Sequence, residues 1–203
     1  MTSESIEKTA SKQWNDFIEL KKDSKPSARI QEAMPMVSGK DEALDLGAGA
    51  LVSTKYLLEQ GFRHVVVVDV ADAAKKIART MPSDRVEFHQ RKFENFEFAT
   101  GKYDLVNAEY ALPFMQKDTL QKTFPKIIAS LKKDGIFAGT LFGTRHEWND
   151  GKSVDTFLTR DEAMKLFERN VAVLKFDEIE KEGATMSGRM VHWHTYHFIV
   201  RKT

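Results

Sequence analysis

Short apolar runs alternate with helix-like stretches along the chain. A glycine-rich bend, Gly47-Ala48-Gly49, follows the first run, and an acid, Asp69, closes the second. These three observations predict an α/β fold, a doubly wound and mostly parallel sheet, because a strand–crossover–strand alternation packs its helices back onto a parallel sheet. The bend marks a ligand site, since glycine has no Cβ to hold a bound molecule away from the backbone.

Trp14, Phe17, Ile18 and Leu20 fall at near-helical spacing, so an amphipathic helix is expected up to about Leu20. Ser27, after Pro26, is placed to cap a short helix that Pro35 stops. The first strand is read at Glu42–Leu46. A helix follows over Ser53–Gln60, closed by Gly61. The second strand is His64–Asp69, with four consecutive valines. A helix over Ala71–Thr80 ends before Pro82, and Val86–His89 is the third strand. Phe93–Lys102 is too short for a helical crossover and is read mostly as loop. Tyr103–Asn107 is the fourth strand. Leu120, Phe124, Ile127, Ile128 and Leu131 form the buried stripe of a helix over Asp118–Leu131, with Pro125 expected to kink it. Asp134-Gly135 turns into a fifth strand, Ile136–Phe142, and a loop follows over Gly143–Ser153. Thr159 with Glu162 forms a capping-box sequence for a helix running to about Arg169. The remaining strands, near Val171–Ile179 and Met190–Val200, are joined through Gly183 as an antiparallel hairpin at one edge of the sheet.

The 203 residues suffice for one domain with a sizeable core. The net charge of +1, with basic residues spread out, gives no electrostatic case for nucleic acid or an anionic membrane as a partner. The absence of cysteine removes disulfides, thiolate metal sites and a cysteine nucleophile. The polar N-terminus has no secretion-signal pattern and no apolar run reaches spanning length, so a cytoplasmic enzyme is expected.

In open α/β sheets the ligand sits at the carboxyl ends of the strands. Asp69, 20 positions after Gly49, can accept from ribose hydroxyls or cap the next helix. Val52 fills the third position of a dinucleotide fingerprint, which disfavours a pyrophosphate. Asp45 beside the bend also repels phosphate and suits a cation. The runs D-L-G-A-G at Asp45–Gly49 and V-V-V-V-D at Val65–Asp69 resemble the first two motifs of class I S-adenosylmethionine-dependent methyltransferases. The cofactor of that family carries an ammonium and a sulfonium and no phosphate. The likeness runs from Asp41 to the C-terminus. Leu51 stands where the family often has a third glycine, and Lys92 where it often has an adenine-binding Asp.

The resemblance implies seven strands in the order 3-2-1-4-5-7-6, the last antiparallel, in a single domain of residues 1–203. Residues 1–38 would be lid helices and 39–203 the Rossmann-like core. It further implies that Asp45, Gly47, Ala48 and Gly49 border the methionine and ribose, that Asp69 takes the ribose diol, and that Val70 packs on adenine. With Lys92 in place of the acid, adenine would be held by the backbone of Phe93 or by the carboxylate of Glu94. Asn107 and Ala108 would lie beside the transferable methyl, and S-adenosylhomocysteine would be the product. In outline the chain is similar to the small-molecule branch, of tellurite-resistance and thiopurine type. A small-molecule acceptor is therefore expected, with the protein a monomer or homodimer. The alternatives are a protein or RNA methyltransferase, a nicotinamide-dependent oxidoreductase, and a non-catalytic cofactor-binding module. Tyr110 lines the acceptor pocket or packs under the lid. His146, in the loop after strand five with Arg145 and Trp148, is a general base or a surface loop residue. His192 and His194 share a strand face but lack a third ligand, so no metal is expected.

Overall fold

A computed structural model describes residues 14–16, 18–185 and 188–203. Its sheet runs in the order β3-β2-β1-β4-β5-β8-β7, with a two-residue strand, β6, paired to β5 off that path. The strands are β1 (Glu42–Leu46), β2 (His64–Asp69), β3 (Val86–Gln90), β4 (Tyr103–Ala108), β5 (Leu131–Gly143), β6 (Phe157–Leu158), β7 (Val171–Ala184) and β8 (Met190–Lys202). The helices are α1 (Ala28–Ala33), α2 (Val52–Glu59), α3 (Asp72–Ala78), α4 (Lys117–Ser130) and α5 (Arg160–Lys165). Ahead of α1, residues 14–16 and 18–21 are helical. Without the two-residue β6, the strand order is the expected one, and β8 alone runs antiparallel to its neighbours. The sequence assigns no element between the loop ending at Ser153 and the helix from Thr159; β6 lies there and pairs Phe142 with Phe157 and Gly143 with Leu158.

Two apolar layers sandwich the sheet. Leu44, Leu46, Val66, Val68, Val106, Phe137 and Phe198 pack against α4 on one face. Ala43, Val65, Val67, Leu105, Ala138 and Ile199 pack on the other, with Ile30 and Ala33 of α1 and Leu57 of α2. A strand buried on both faces reads as an unbroken apolar run. The valines of β2 fit that rule, each at most 1% exposed.

Several local expectations change. Leu20 is 71% exposed and is not on the stripe with buried Ile18, while Phe17 lies outside the described residues. Pro125 sits on the exposed side of a continuous α4. Asp134 does not end a turn before β5. It lies inside the strand at φ +63°, near the register irregularity between Tyr103 and Leu105. α5 stops at Lys165 rather than near Arg169. Gly183 is paired with Val191 inside the hairpin, and the chain reverses further on, where Thr185 N–H donates to Arg189 O at 2.7 Å. Glycine suits this paired position because a Cβ would lie 3.0 Å from the Trp193 ring.

Candidate cofactor and acceptor site

The bend after β1 needs its glycines. Gly47 and Gly49 sit at φ +66° and +52°, in the left-handed region that costs other residues energy. A Cβ on Gly47 would also fall 2.6 Å from Ala111 Cβ and 3.3 Å from the Phe93 ring. Leu51, at the N-terminus of α2, is left-handed too, at φ +56°. Its side chain is fully buried. Strain of about 1–2 kcal/mol at such a residue is offset by burial of a leucine, worth about 1.5–3 kcal/mol.

Asp69 at the end of β2 ties the bend down. One of its oxygens accepts from Gly49 N–H and the other from Ala71 N–H, both at 2.8 Å. Burial raises its pKa, and these backbone donors oppose that shift. A carboxylate has about four lone-pair sites, so the Asp69 oxygens retain capacity for ribose hydroxyls. Val70, next in the chain, is 48% exposed, an apolar side chain presented beside the bend.

Asp45 is wholly buried. It accepts from the Thr54 hydroxyl at 2.6 Å and from Asn107 Nδ2 at 2.8 Å. Burial pushes its carboxyl upward, and the two donors oppose that shift. Because Nδ2 of Asn107 turns to Asp45, Oδ1 of the same amide faces away as a buried acceptor with no partner among the described residues. An orphaned acceptor of this kind carries a desolvation cost unless a ligand donor meets it. The left-handed bend and the orphaned Asn107 oxygen together suit an adenosyl amino acid with a free ammonium. They offer no cluster of cations for a diphosphate.

Beyond β4 the chain presents Glu109 and then Tyr110, which adopts φ +50°. The Tyr110 ring meets His197 at 5.8 Å and Trp193 at 6.1 Å, edge-on in both cases. Burial, followed by the nearby Glu109 carboxyl, pushes its phenol up to about 12, so it remains protonated near neutrality. His146 is 2% exposed rather than on the surface. It packs among Phe142, Trp148 and Trp193, with ring centres 4.5, 4.9 and 5.0 Å away. Its Nδ1 accepts from Trp148 N–H at 3.1 Å. A backbone N–H can only donate, so the proton of the neutral ring sits on Nε2, which has no partner. Burial holds the ring down at about 4. His146 therefore offers a donor here, with no free basic nitrogen.

The other paired histidines are already engaged. His192 bridges Glu182 and Glu180 at 2.7 and 2.9 Å, while His194 contacts Glu178 at 3.0 Å and accepts from Arg145 N–H at 3.0 Å. No group of three or more potential metal ligands is assembled among the described residues. Sequence reasoning did not single out Thr54, Arg29 or Thr140, and it gave no role to Glu109, within the strand-end stretch Asn107–Tyr110, or to His197 of the last strand. They arrive from separate elements, and no spacing rule joins them.

The sheet order, the bend and the acid of β2 define the fold of class I S-adenosylmethionine-dependent methyltransferases. Residues 43–135 match the family model of a methyltransferase domain. No curated protein sequence matches the chain significantly. Solved structures do match. One is an S-adenosylmethionine-dependent methyltransferase from Mesorhizobium loti, with a TM-score of 0.67 at 15% identity, covering 85% of this chain and 95% of that one. Another is TehB from Haemophilus influenzae, with a TM-score of 0.72 at 13% identity, covering 88% and 63%. A third is the 1,6-didemethyltoxoflavin N1-methyltransferase of Burkholderia thailandensis, with a TM-score of 0.68 at 20% identity, covering 100% and 91%. By this match and this fold the chain is similar to methyltransferases that use S-adenosylmethionine.

Proposed function

We propose that this protein is an S-adenosylmethionine-dependent methyltransferase that acts on a small-molecule acceptor held between α1, the carboxyl ends of β4 and β5, and the amino-terminal half of the antiparallel β8. The observation that carries this reading is the way α1 covers the site. Arg29 of α1 donates to Asp177 of β7 at 3.1 Å, and Lys175 of β7 donates to Glu32 at 2.8 Å. A helix pinned across the strand ends suits a small enclosed acceptor better than a protein or RNA surface. The Burkholderia neighbour, solved with 1,6-didemethyltoxoflavin and S-adenosylhomocysteine, supports a small acceptor. Among the described residues no helix is long and apolar enough to cross a membrane, and we place the enzyme in the cytoplasm. We also read residues 1–203 as one methyltransferase domain with the lid at 1–38.

The cofactor supplies a methyl group on a sulfonium and leaves as S-adenosylhomocysteine. In this reading Asp69 and Val70 hold its ribose and adenine, with Phe93 at the rim. Gly47, Ala48 and Gly49 line its length. Asn107, aimed by Asp45, presents Oδ1 to its ammonium, and Ala108 leaves room beside it. Tyr110 forms a wall of the acceptor pocket, and the His146 Nε2–H is a donor within its aromatic lining. The protein's contribution is chiefly position and exclusion of water.

Two measurements test this. Asp69→Ala should lose at least about 10-fold in S-adenosylhomocysteine affinity by calorimetry, the size of one or more charge-assisted hydrogen bonds. Unchanged affinity would remove the ribose role. Incubation of the enzyme with methyl-labelled cofactor and a fractionated cell extract should place the label below about 1 kDa, in the size range of pocket ligands. Label confined to protein or RNA would overturn the small-molecule reading.

A further inference from the structure

A polar row crosses the sheet beneath α1. Ala108 of β4 pairs with Gly139 of β5, so Glu109 and Thr140 are the next residues along these two parallel strands. Thr140 pairs with His197 of β8, and His197 with Asp177 of β7. Strand side chains alternate between faces, which puts Thr140 on the same face as Ala138, in the layer that α1 covers. Arg29 closes the row from above through its bond to Asp177, and the Ser27 hydroxyl at the start of α1 lies near enough to Glu109 to favour its carboxylate.

Two members of this row have unmet polar atoms. The Arg29 side chain is only 7% exposed, yet its Nε has no partner, and neither does the buried Thr140 hydroxyl. Asn107 Oδ1 and His146 Nε2 also lack partners, so among the described residues four buried polar atoms are unmet, on α1, β4, β5 and the loop that follows β5. Buried polar groups are normally satisfied, and exceptions call for a ligand, a water or a catalytic task. Rings of Tyr110 and Trp193 stand at the side of the row.

We propose that Glu109 is the proton acceptor of the reaction and that the methyl acceptor is a protic nitrogen or oxygen on a planar ring, its other polar edge met by Arg29 Nε and Thr140. The inference rests on the small-molecule methyltransferase reading above. A thiolate or chalcogen oxyanion would need no base and would be repelled by a carboxylate at this position. A neutral ring N–H or O–H donates to Glu109, and its heteroatom forms the new bond to the methyl carbon as the carbon–sulfur bond breaks toward sulfur. The displaced proton moves to the Glu109 carboxylate, so the positive charge of the sulfonium ends as a neutral acid. The charged and titratable groups facing Glu109 are Arg29 from α1, Asp45 from β1 and the neighbouring Tyr110. Burial, the largest influence, raises the Glu109 carboxyl toward the range of a useful base, while Ser27 and Arg29 oppose that shift.

The test uses benzimidazolone, catechol and thiophenol as probes. Calorimetry in the presence of S-adenosylhomocysteine measures probe binding, and methyl transfer is followed separately. Benzimidazolone or catechol should bind, more weakly as the pH falls through the Glu109 titration, and should be methylated. In Glu109→Gln that pH dependence should vanish and kcat should fall by about 100-fold or more, the usual contribution of a positioned base, while S-adenosylhomocysteine affinity stays within about twofold. Glu109→Asp should recover part of the rate. Methylation of thiophenol at equal rates in parent and Glu109→Gln would overturn the proposal, as would failure of both ring N–H and O–H probes to bind or react. Loss of cofactor binding in the parent would instead sink the methyltransferase reading itself.

Discussion

Two buried histidines make the stability of this protein depend on pH. His146 and His197 are both held down to about 4, chiefly by burial, and at His197 next by the Arg29 cation. An unfolded histidine titrates near about 6.5. As the pH falls below that value the unfolded chain takes up protons that the folded chain refuses. The stabilisation is therefore complete above about 6.5 and is lost as the pH drops toward 4, by up to about 1.4 kcal/mol per pH unit for each histidine. Urea melts between pH 7 and 4.5 should show this slope, and His197→Gln should remove about half of it. A slope equal to that of the parent would mean that His197 is charged in the fold. His192 works in the opposite window. Glu182 and Glu180 raise its pKa, so its contribution is present below about 6.5 and fades as the pH rises. Single residues also show where sequence reading stops. Asp69 was legible as an acid at a strand end, but its two backbone bonds, to Gly49 and to Ala71, join sites 20 and two positions away. Glu109 lay within the strand-end stretch Asn107–Tyr110 that the fold rule nominates, but no role could be read for it, because Ser27 and Arg29, which act on it, come from another element.

Secondary elements follow local chemistry closely where that chemistry is self-contained. β1 and β2 have the bounds read from the sequence, since their apolar runs end in a bend and an acid. Ser27 caps α1 as expected, its hydroxyl accepting from Ile30 N–H at 3.2 Å. The capping box at α5 is also complete. The Thr159 hydroxyl accepts from Glu162 N–H at 3.2 Å, and the Glu162 carboxylate accepts from Thr159 N–H at 2.8 Å. Thr159→Ala should therefore cost about 1 kcal/mol and lower the Tm by about 2–4 °C, with an unchanged denaturant slope. A variant that melts with the parent would show that Ala163, fully buried under this helix, holds α5 without its cap. Elements whose bounds depend on a distant partner were misread. Gly183 looks like a turn residue in sequence, yet it lies in the hairpin because Trp193 needs the space over it and donates its indole N–H to Gly183 O at 3.1 Å.

At the scale of the whole molecule the cofactor should act as a stabiliser. A ligand that binds only the folded chain adds about 2.7 kcal/mol at 100 times its Kd. For a chain of 203 residues this corresponds to a rise in Tm of roughly 5–11 °C. S-adenosylhomocysteine should produce this shift in a thermal melt, and NAD should produce none. The reverse result would return the bend to the dinucleotide class. The helix proposed as a lid takes part in the same unit. α1 is fastened to β7, at the far edge of the sheet, by Arg29–Asp177 and Glu32–Lys175, so α1 and the C-terminal hairpin are mechanically joined.

The succession of strands and helices, the ligand-bearing bend and the antiparallel hairpin were legible in features only a few residues long, apolar period, glycine placement and acids at strand ends, while the strand order came only from the family resemblance. These short features act locally, so a one-dimensional string displays them. The acceptor chemistry was decided by the tertiary structure alone. Its residues come from α1, β4, β5 and β8, and they meet because strand register and the packing of α1 bring 29, 109, 140 and 197 under one roof. Register and burial are properties of the packed chain, and burial raises the Glu109 carboxyl and lowers His146 and His197, shifts that no segment of sequence could show by itself.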